Sequence, residues 1–167
     1  MKKIGIYYGS STGMTEGIAG KIAEKLGVSN NDIHNVADVN VETVNDYEAL
    51  LLGSSTWGVG ELQDDWGGFL EQLKSKNLSG KSVAVFGCGD CSAFGSSFCD
   101  AIGIIYNEIE GTGAKMCGKV SADGYSYDSS EAVVDGDFLG LALDENNESD
   151  LTDSRIADWT EQLKNEL

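Results

Sequence analysis

The sequence predicts an α/β fold: an open parallel sheet with helices packed on both of its faces. Three observations carry that expectation. The run from Tyr47 to Gly53 is apolar almost without a break, as expected of a strand buried on both faces of a sheet. Strand-like runs alternate with stretches of helical spacing along the chain, a pattern that joins parallel neighbours through right-handed crossovers. Finally, Lys3 to Tyr8, rich in Ile and Tyr, passes through a loop of glycine and hydroxyl residues into Met14, Ile18, Ile22 and Leu26, which share one helix face.

In chain order, the first strand is Lys3 to Tyr8 and the first helix is Met14 to Leu26, closed by Gly27 as a C-terminal cap. Asp32 to Val36 reads as a second strand and Val41 to Asn45 as a short turn or helix. The third strand ends in Ser54-Ser55-Thr56-Trp57-Gly58-Val59-Gly60, a glycine-rich loop with a tryptophan. Asp64 to Leu73 is a helix with Trp66, Phe69, Leu70 and Leu73 as its apolar stripe. Ser82 to Gly87 is the fourth strand, and its loop, Cys88 to Gly95, holds Asp90 and Phe94. A helix from Phe98 to Ile109, a fifth strand from Lys115 to Val120 and a closing helix from Leu151 to Leu167 complete the pattern.

The chain has 167 residues, enough for one domain with a sizeable core, and no apolar run approaches membrane-spanning length. Met1-Lys2-Lys3-Ile4 enters the first strand without the apolar block of a signal peptide, so a cytoplasmic location without membrane contact is expected. The formal charge of -17 argues against nucleic acid, whose phosphates would be repelled. It suits a protein partner with a basic docking face, or simply solubility. The four cysteines, Cys88, Cys91, Cys99 and Cys117, are expected to be reduced, and His34, with no second histidine in the chain, reads as structural.

The stretch Gly9 to Glu16 carries the first chemical signal. A loop between a strand and a helix points successive N–H groups at one spot, where the helix dipole adds partial positive charge. Hydroxyls of Ser10, Thr12 and Thr15 close round the same spot, which suits a phosphate. A nucleoside-triphosphate loop needs Lys then Ser or Thr after its glycine, and Gly13 is followed by Met14 and Thr15. The three-glycine dinucleotide fingerprint is missing as well. What remains is a site for one terminal phosphate, or an ordinary strand-to-helix turn with hydroxyl caps. In such sheets ligands bind beyond the carboxyl ends of the strands. The loops there are Gly9–Thr15, Ser54–Glu61 and Gly87–Gly95, and the last two carry Trp57 and Phe94. Two aromatic rings beside a phosphate grip suit a flat heterocycle on a phosphorylated tail; the plainer alternative makes both rings core residues or chance loop aromatics.

With these motifs in family order, the chain resembles the flavodoxins nearly end to end. Ser10 to Thr15 resembles the family's phosphate loop, and Ser55 to Trp66 its first flavin-flanking loop. Gly87-Cys88-Gly89-Asp90 through Phe98-Cys99-Asp100-Ala101 resembles the second. Asp123-Gly124-Tyr125 through Gly140 to Glu145, then Arg155-Ile156 and Trp159, resembles the segment that marks the long-chain branch. The resemblance implies a flavodoxin-like five-stranded parallel sheet of order 2-1-3-4-5. Its fifth strand would be interrupted between Ser121 and Leu139, within a single FMN-binding domain over residues 1–167. It implies FMN contacts at Ser10, Ser11, Thr12, Gly13, Met14 and Thr15; at Ser55, Thr56, Trp57, Gly58, Val59 and Gly60; and at Cys88, Gly89, Asp90, Phe94, Phe98 and Cys99. Phe94 stands where the family usually has tyrosine, so the ring face stays covered without a hydroxyl.

The implied function is a monomeric low-potential one-electron carrier, shuttling FMN between semiquinone and hydroquinone without a catalytic residue or metal. Its partners would be redox proteins: a flavodoxin or ferredoxin reductase, a low-potential oxidoreductase, nitrogenase or a photosystem. In the family a carbonyl of the first flanking loop turns toward flavin N5, and Gly58 would ease that turn. An FMN-dependent NAD(P)H:quinone reductase of the same fold is the alternative. A signalling receiver domain is disfavoured because Ser54-Ser55-Thr56 stands where its phosphoacceptor aspartate belongs. Thiol chemistry at Cys88 and Cys91 is also disfavoured, because the following helix starts several residues too late to activate them.

Overall fold

The computed structural model describes residues 2–167. The elements in chain order are β1 (Ile4–Gly9), α1 (Met14–Leu26), β2 (Ile33–Asn35), β3 (Ala49–Trp57), β4 (Glu61–Leu62), α2 (Trp66–Leu73), β5 (Ser82–Cys88), α3 (Asp100–Glu110), β6 (Lys115–Cys117), β7 (Val120–Ser121), β8 (Val133–Val134), β9 (Asp137–Phe138), β10 (Leu141–Leu143) and α4 (Ser149–Glu166). The short stretch at Val41–Asp46 is a 3₁₀ turn capped by the Asn40 side chain, which accepts from the Glu42 N–H at 2.8 Å.

β2, β1, β3 and β5 lie side by side and parallel. The fifth position is shared: β6 pairs with Ser82–Ala84 of β5 and β10 with Phe86–Cys88. The sheet order is therefore the expected one, with the fifth strand interrupted. The interruption is wider than the sequence suggested, because the strand ends at Cys117 rather than Val120. There Gly118 turns out of the sheet at φ +84, its carbonyl accepts from Trp159 Nε1 at 2.8 Å, and a Cβ would lie 3.0 Å from that nitrogen. The segment so released forms its own three-stranded antiparallel sheet, β7-β9-β8. Its hairpin closes through Asp135 and Gly136, both at positive φ, as a two-residue turn of type I′ requires.

β3 shows why the sheet needs two apolar faces. Leu50 and Leu52 point into a core shared with Phe69, Leu70, Val83, Val85 and Ile102. Ala49 and Leu51 point into the opposite core with Ile6, Ile22, Phe86 and Trp159. All four of these β3 side chains are fully buried. Helices α2 and α3 cover the first face, and α1 and α4 the second. The carboxyl ends of β1, β3 and β5 thus open side by side, each followed by one of the three loops singled out above.

Candidate functional site

The loop after β1 is built as an anion cradle. Gly13 caps α1 at φ +87, a left-handed conformation that glycine adopts without strain. Its N–H donates to Ser10 Oγ at 3.0 Å. The first internal bond of the helix runs from the Gly17 N–H to the Gly13 carbonyl at 3.0 Å, so the N–H groups of Met14, Thr15 and Glu16 precede the helical ladder. Thr15 is buried, and its Oγ1 has no hydrogen-bond partner among the described residues; the neighbouring polar group is the Cys88 thiol. A buried hydroxyl without a partner, beside free N–H donors at a helix N-terminus, fits a phosphate oxygen.

A cavity of about 290 Å³ adjoins this loop. Thr12 and Met14 line it next to the cradle, Ser55 to Gly58 form one wall, and Cys88 to Asp90 with Phe94 the other. Trp57 and Phe94 keep 41% and 47% of their surface open, far more than core aromatics such as Trp66 at 0%. Trp57 is nevertheless fixed, because its Nε1 donates to Ser55 Oγ at 2.8 Å. Two half-open rings facing a mostly apolar cavity fit the two faces of a planar ring. No lysine or arginine is among the lining residues, so a phosphate here would meet backbone donors and hydroxyls rather than a cationic side chain.

The wall holding Phe94 is built on Asp90. Its carboxylate accepts from the N–H groups of Ser92 at 3.0 Å and Ala93 at 2.9 Å, a tight Asx-type turn. Those bonds, with the amide groups of Asn147 and Asn146, hold the carboxyl below the usual aspartate value. Asp144 is completely buried at the end of β10 and accepts from the Cys91 N–H at 3.0 Å. Burial pushes its carboxyl up, but hydrogen bonds from Cys91 and Asn147 outweigh that and keep it below the usual value.

The expected contact residues divide accordingly. Thr12, Met14, Ser55, Thr56, Trp57, Gly58, Cys88, Gly89, Asp90 and Phe94 line the cavity. Ser10, Gly13 and Thr15 shape the cradle beside it. Ser11 is engaged elsewhere, its Oγ accepting from Gln63 Nε2 at 3.0 Å. Val59 is 85% exposed and stands outside the cavity, while Gly60, at φ +86, packs against Asp100. The side chains of Phe98 and Cys99 lie in the core behind the wall and outside the cavity lining. Phe98 stacks on Tyr127 with ring centroids 5.7 Å apart, and the buried Cys99 thiol meets the Leu143 carbonyl at 3.8 Å. Cys99, at φ +54, caps α3, which starts at Asp100.

Four residues escaped the sequence reading. Asn146 lines the cavity, and Asn147 and Asp144 bond to its wall. Gln63, almost fully buried, ties Ser11 of the phosphate loop to Asp65 and to Ser54, the last through a 3.2 Å bond from its N–H. The thiol alternative is weakened by the site itself. The Cys88 thiol is pushed up to about 12 by burial, and that of Cys91 to about 11, chiefly by the Asp144 carboxylate. His34 is structural: burial lowers its pKa, and its Nε2 lies 2.7 Å from the Tyr47 hydroxyl.

Residues 6–159 match the family model described as flavodoxin. A flavodoxin from a Nostoc species is 46% identical over 166 residues, covering 99% of this chain and 98% of the relative. Flavodoxin 1 of Azotobacter vinelandii is 42% identical over 171 residues, covering 100% and 98%. Among solved structures, the Fusobacterium nucleatum flavodoxin bound to flavin mononucleotide superposes with a TM-score of 0.92 at 37% identity, covering 100% of this chain and 99% of that one. The cradle, the cavity between two rings and these relatives agree: the chain belongs to the flavodoxin family of FMN-binding electron-transfer proteins.

Proposed function

We propose that the chain is a single-domain, monomeric carrier that passes single electrons between redox proteins through FMN held at the 290 Å³ cavity. The observation that carries this reading is the buried Thr15 hydroxyl, without a hydrogen-bond partner among the described residues, in the loop beside a cavity walled by Trp57 and Phe94. FMN, when bound, supplies the one-electron chemistry. The protein's residues bind, orient and shield it. Ser10, Thr12, Thr15 and the N–H groups of Met14 to Glu16 hold the phosphate. Trp57 and Phe94 cover the ring faces and exclude water. Gly58, at φ +53, can let its carbonyl turn and accept a hydrogen bond from an N–H at the ring edge. The negative field of the chain, with no cation lining the cavity, opposes further negative charge there and sets a low potential for the second electron.

The same field would steer the carrier toward partners with basic docking faces, such as a flavodoxin or ferredoxin reductase or a low-potential oxidoreductase, in the cytoplasm. Flavodoxins are electron-transfer proteins rather than enzymes, so the quinone-reductase alternative is set aside. Titration of the apoprotein with FMN, followed by flavin fluorescence, tests the reading. Quenching that saturates at one FMN per chain is expected, because Trp57 and Phe94 contact the ring. Unquenched, unsaturable fluorescence would overturn it.

A further inference from the structure

Asn147 lies outside the cavity lining, yet its side-chain amide reaches two carboxylates at once. Nδ2 donates to Asp90 Oδ1 at 2.7 Å and lies 3.1 Å from each oxygen of Asp144. The neighbouring Asn146 Nδ2 reaches Asp90 Oδ2 at 3.2 Å. Asp144 in turn holds the segment that makes this possible, accepting from the Asn146 N–H at 3.2 Å and the Asn147 N–H at 3.0 Å. Its other oxygen holds the Cys91 N–H at 3.0 Å. Two loops far apart in sequence are thereby locked together: the Cys88–Gly95 wall, which presents Phe94 to the cavity, and the turn between β10 and α4. Without Asn147 the two carboxylates would face each other across no more than about 6 Å, and like charges at that range push apart.

We infer that Asn147 is a positioning residue: its amide bridges Asp90 and Asp144 and so holds the ring-facing wall in binding geometry. The inference rests on the flavin reading above and deepens it. It also accounts for two carboxylates persisting side by side in their charged form, each held below its usual value by donors that include Asn147. The wall it steadies touches a ring and not a phosphate, and that difference makes the inference testable.

The experiment compares dissociation constants for FMN and for riboflavin, which has the ring without the phosphate, in the wild type, Asn147→Ala and Asn147→Asp. Losing the bridging bonds to two charged groups is expected to weaken both ligands by the same factor, about tenfold or more. Asn147→Asp, of equal size but with an acceptor replacing the donor, is expected to weaken both further. In the apoprotein, amide exchange at Cys91 is expected to quicken in both variants. Riboflavin binding by Asn147→Asp equal to wild type would overturn the inference, as would loss of FMN binding alone. A wild type that binds neither flavin would instead refute the functional reading, and exchange at Cys91 would still decide whether Asn147 holds the wall.

Discussion

Replacing Thr15 by valine separates the structural from the binding role of a single oxygen. The Thr15 side chain is 1% exposed, and its hydroxyl, whose polar neighbour is the Cys88 thiol, has no hydrogen-bond partner among the described residues. A buried hydroxyl without a hydrogen bond costs the folded apoprotein about 1–3 kcal/mol. Valine keeps the β-branched shape at a helix position where the two residues have similar propensity, so the chief change is loss of the unsatisfied oxygen. The apoprotein is therefore expected to gain stability, by roughly 1 kcal/mol or more. FMN binding should lose a comparable or larger amount, because the phosphate no longer relieves that penalty and forfeits a charge-assisted bond. At about 1.4 kcal/mol per factor of ten, the dissociation constant should rise roughly ten- to a hundredfold. Riboflavin, lacking the phosphate, should bind as before. Urea unfolding of the apoprotein and fluorescence titration with both flavins give the three quantities. A less stable apoprotein with unchanged FMN affinity would refute the assignment of Thr15 to the phosphate.

Three further outcomes follow from the same geometry. Gly58→Ala meets no steric obstacle beyond ordinary contact with Glu61 at 3.6 Å, so its cost is the backbone strain of φ +53, about 1 kcal/mol. If that conformation serves the first electron, its potential should fall by roughly 40 mV in a redox titration, and an unchanged value would remove Gly58 from the mechanism. The thiols of Cys88 and Cys91, raised to about 12 and about 11, should remain unalkylated by iodoacetamide at pH 8 over a time in which a free thiol reacts fully, and rapid labelling would contradict that. Asp144 is held below its unfolded value, so its contribution to stability is complete above about pH 4 and is lost as pH falls through the folded value. Asp144→Asn should flatten that acid limb of the urea midpoint, and an identical limb in both proteins would show that other groups set it.

The residues that were legible in the sequence are those whose roles are local. The cradle at Ser10 to Thr15 follows from a strand, a turn and a helix in immediate succession. Trp57 and Phe94 stood out because large aromatics in polar, glycine-rich loops need a reason. The parallel sheet followed from alternation and from the doubly buried β3, and its strand order from the resemblance to the flavodoxins. Gln63, Asp144, Asn146 and Asn147 were hidden because their roles exist only after folding. Gln63 meets Ser11 across 52 positions and Asn147 meets Asp90 across 57. In the sequence, Glu145-Asn146-Asn147-Glu148 looks like any polar lead-in to a helix. Phe98 and Cys99 continue a motif that reaches the cavity, while their own side chains pack behind it. Nothing in the side-chain pattern signals the left-handed backbone of Cys99, since non-glycine residues at positive φ are uncommon.

The central claim is that this chain holds FMN between Trp57 and Phe94 in a field that separates the uptake of two electrons. Anaerobic stepwise reduction of the FMN-loaded protein, followed through its visible spectrum against indicator dyes of known potential, tests it most directly. The account predicts two resolved one-electron steps, the second at markedly lower potential and rising when the negative field is screened by salt. A single two-electron step, or a second potential no lower than that of free FMN, would contradict it.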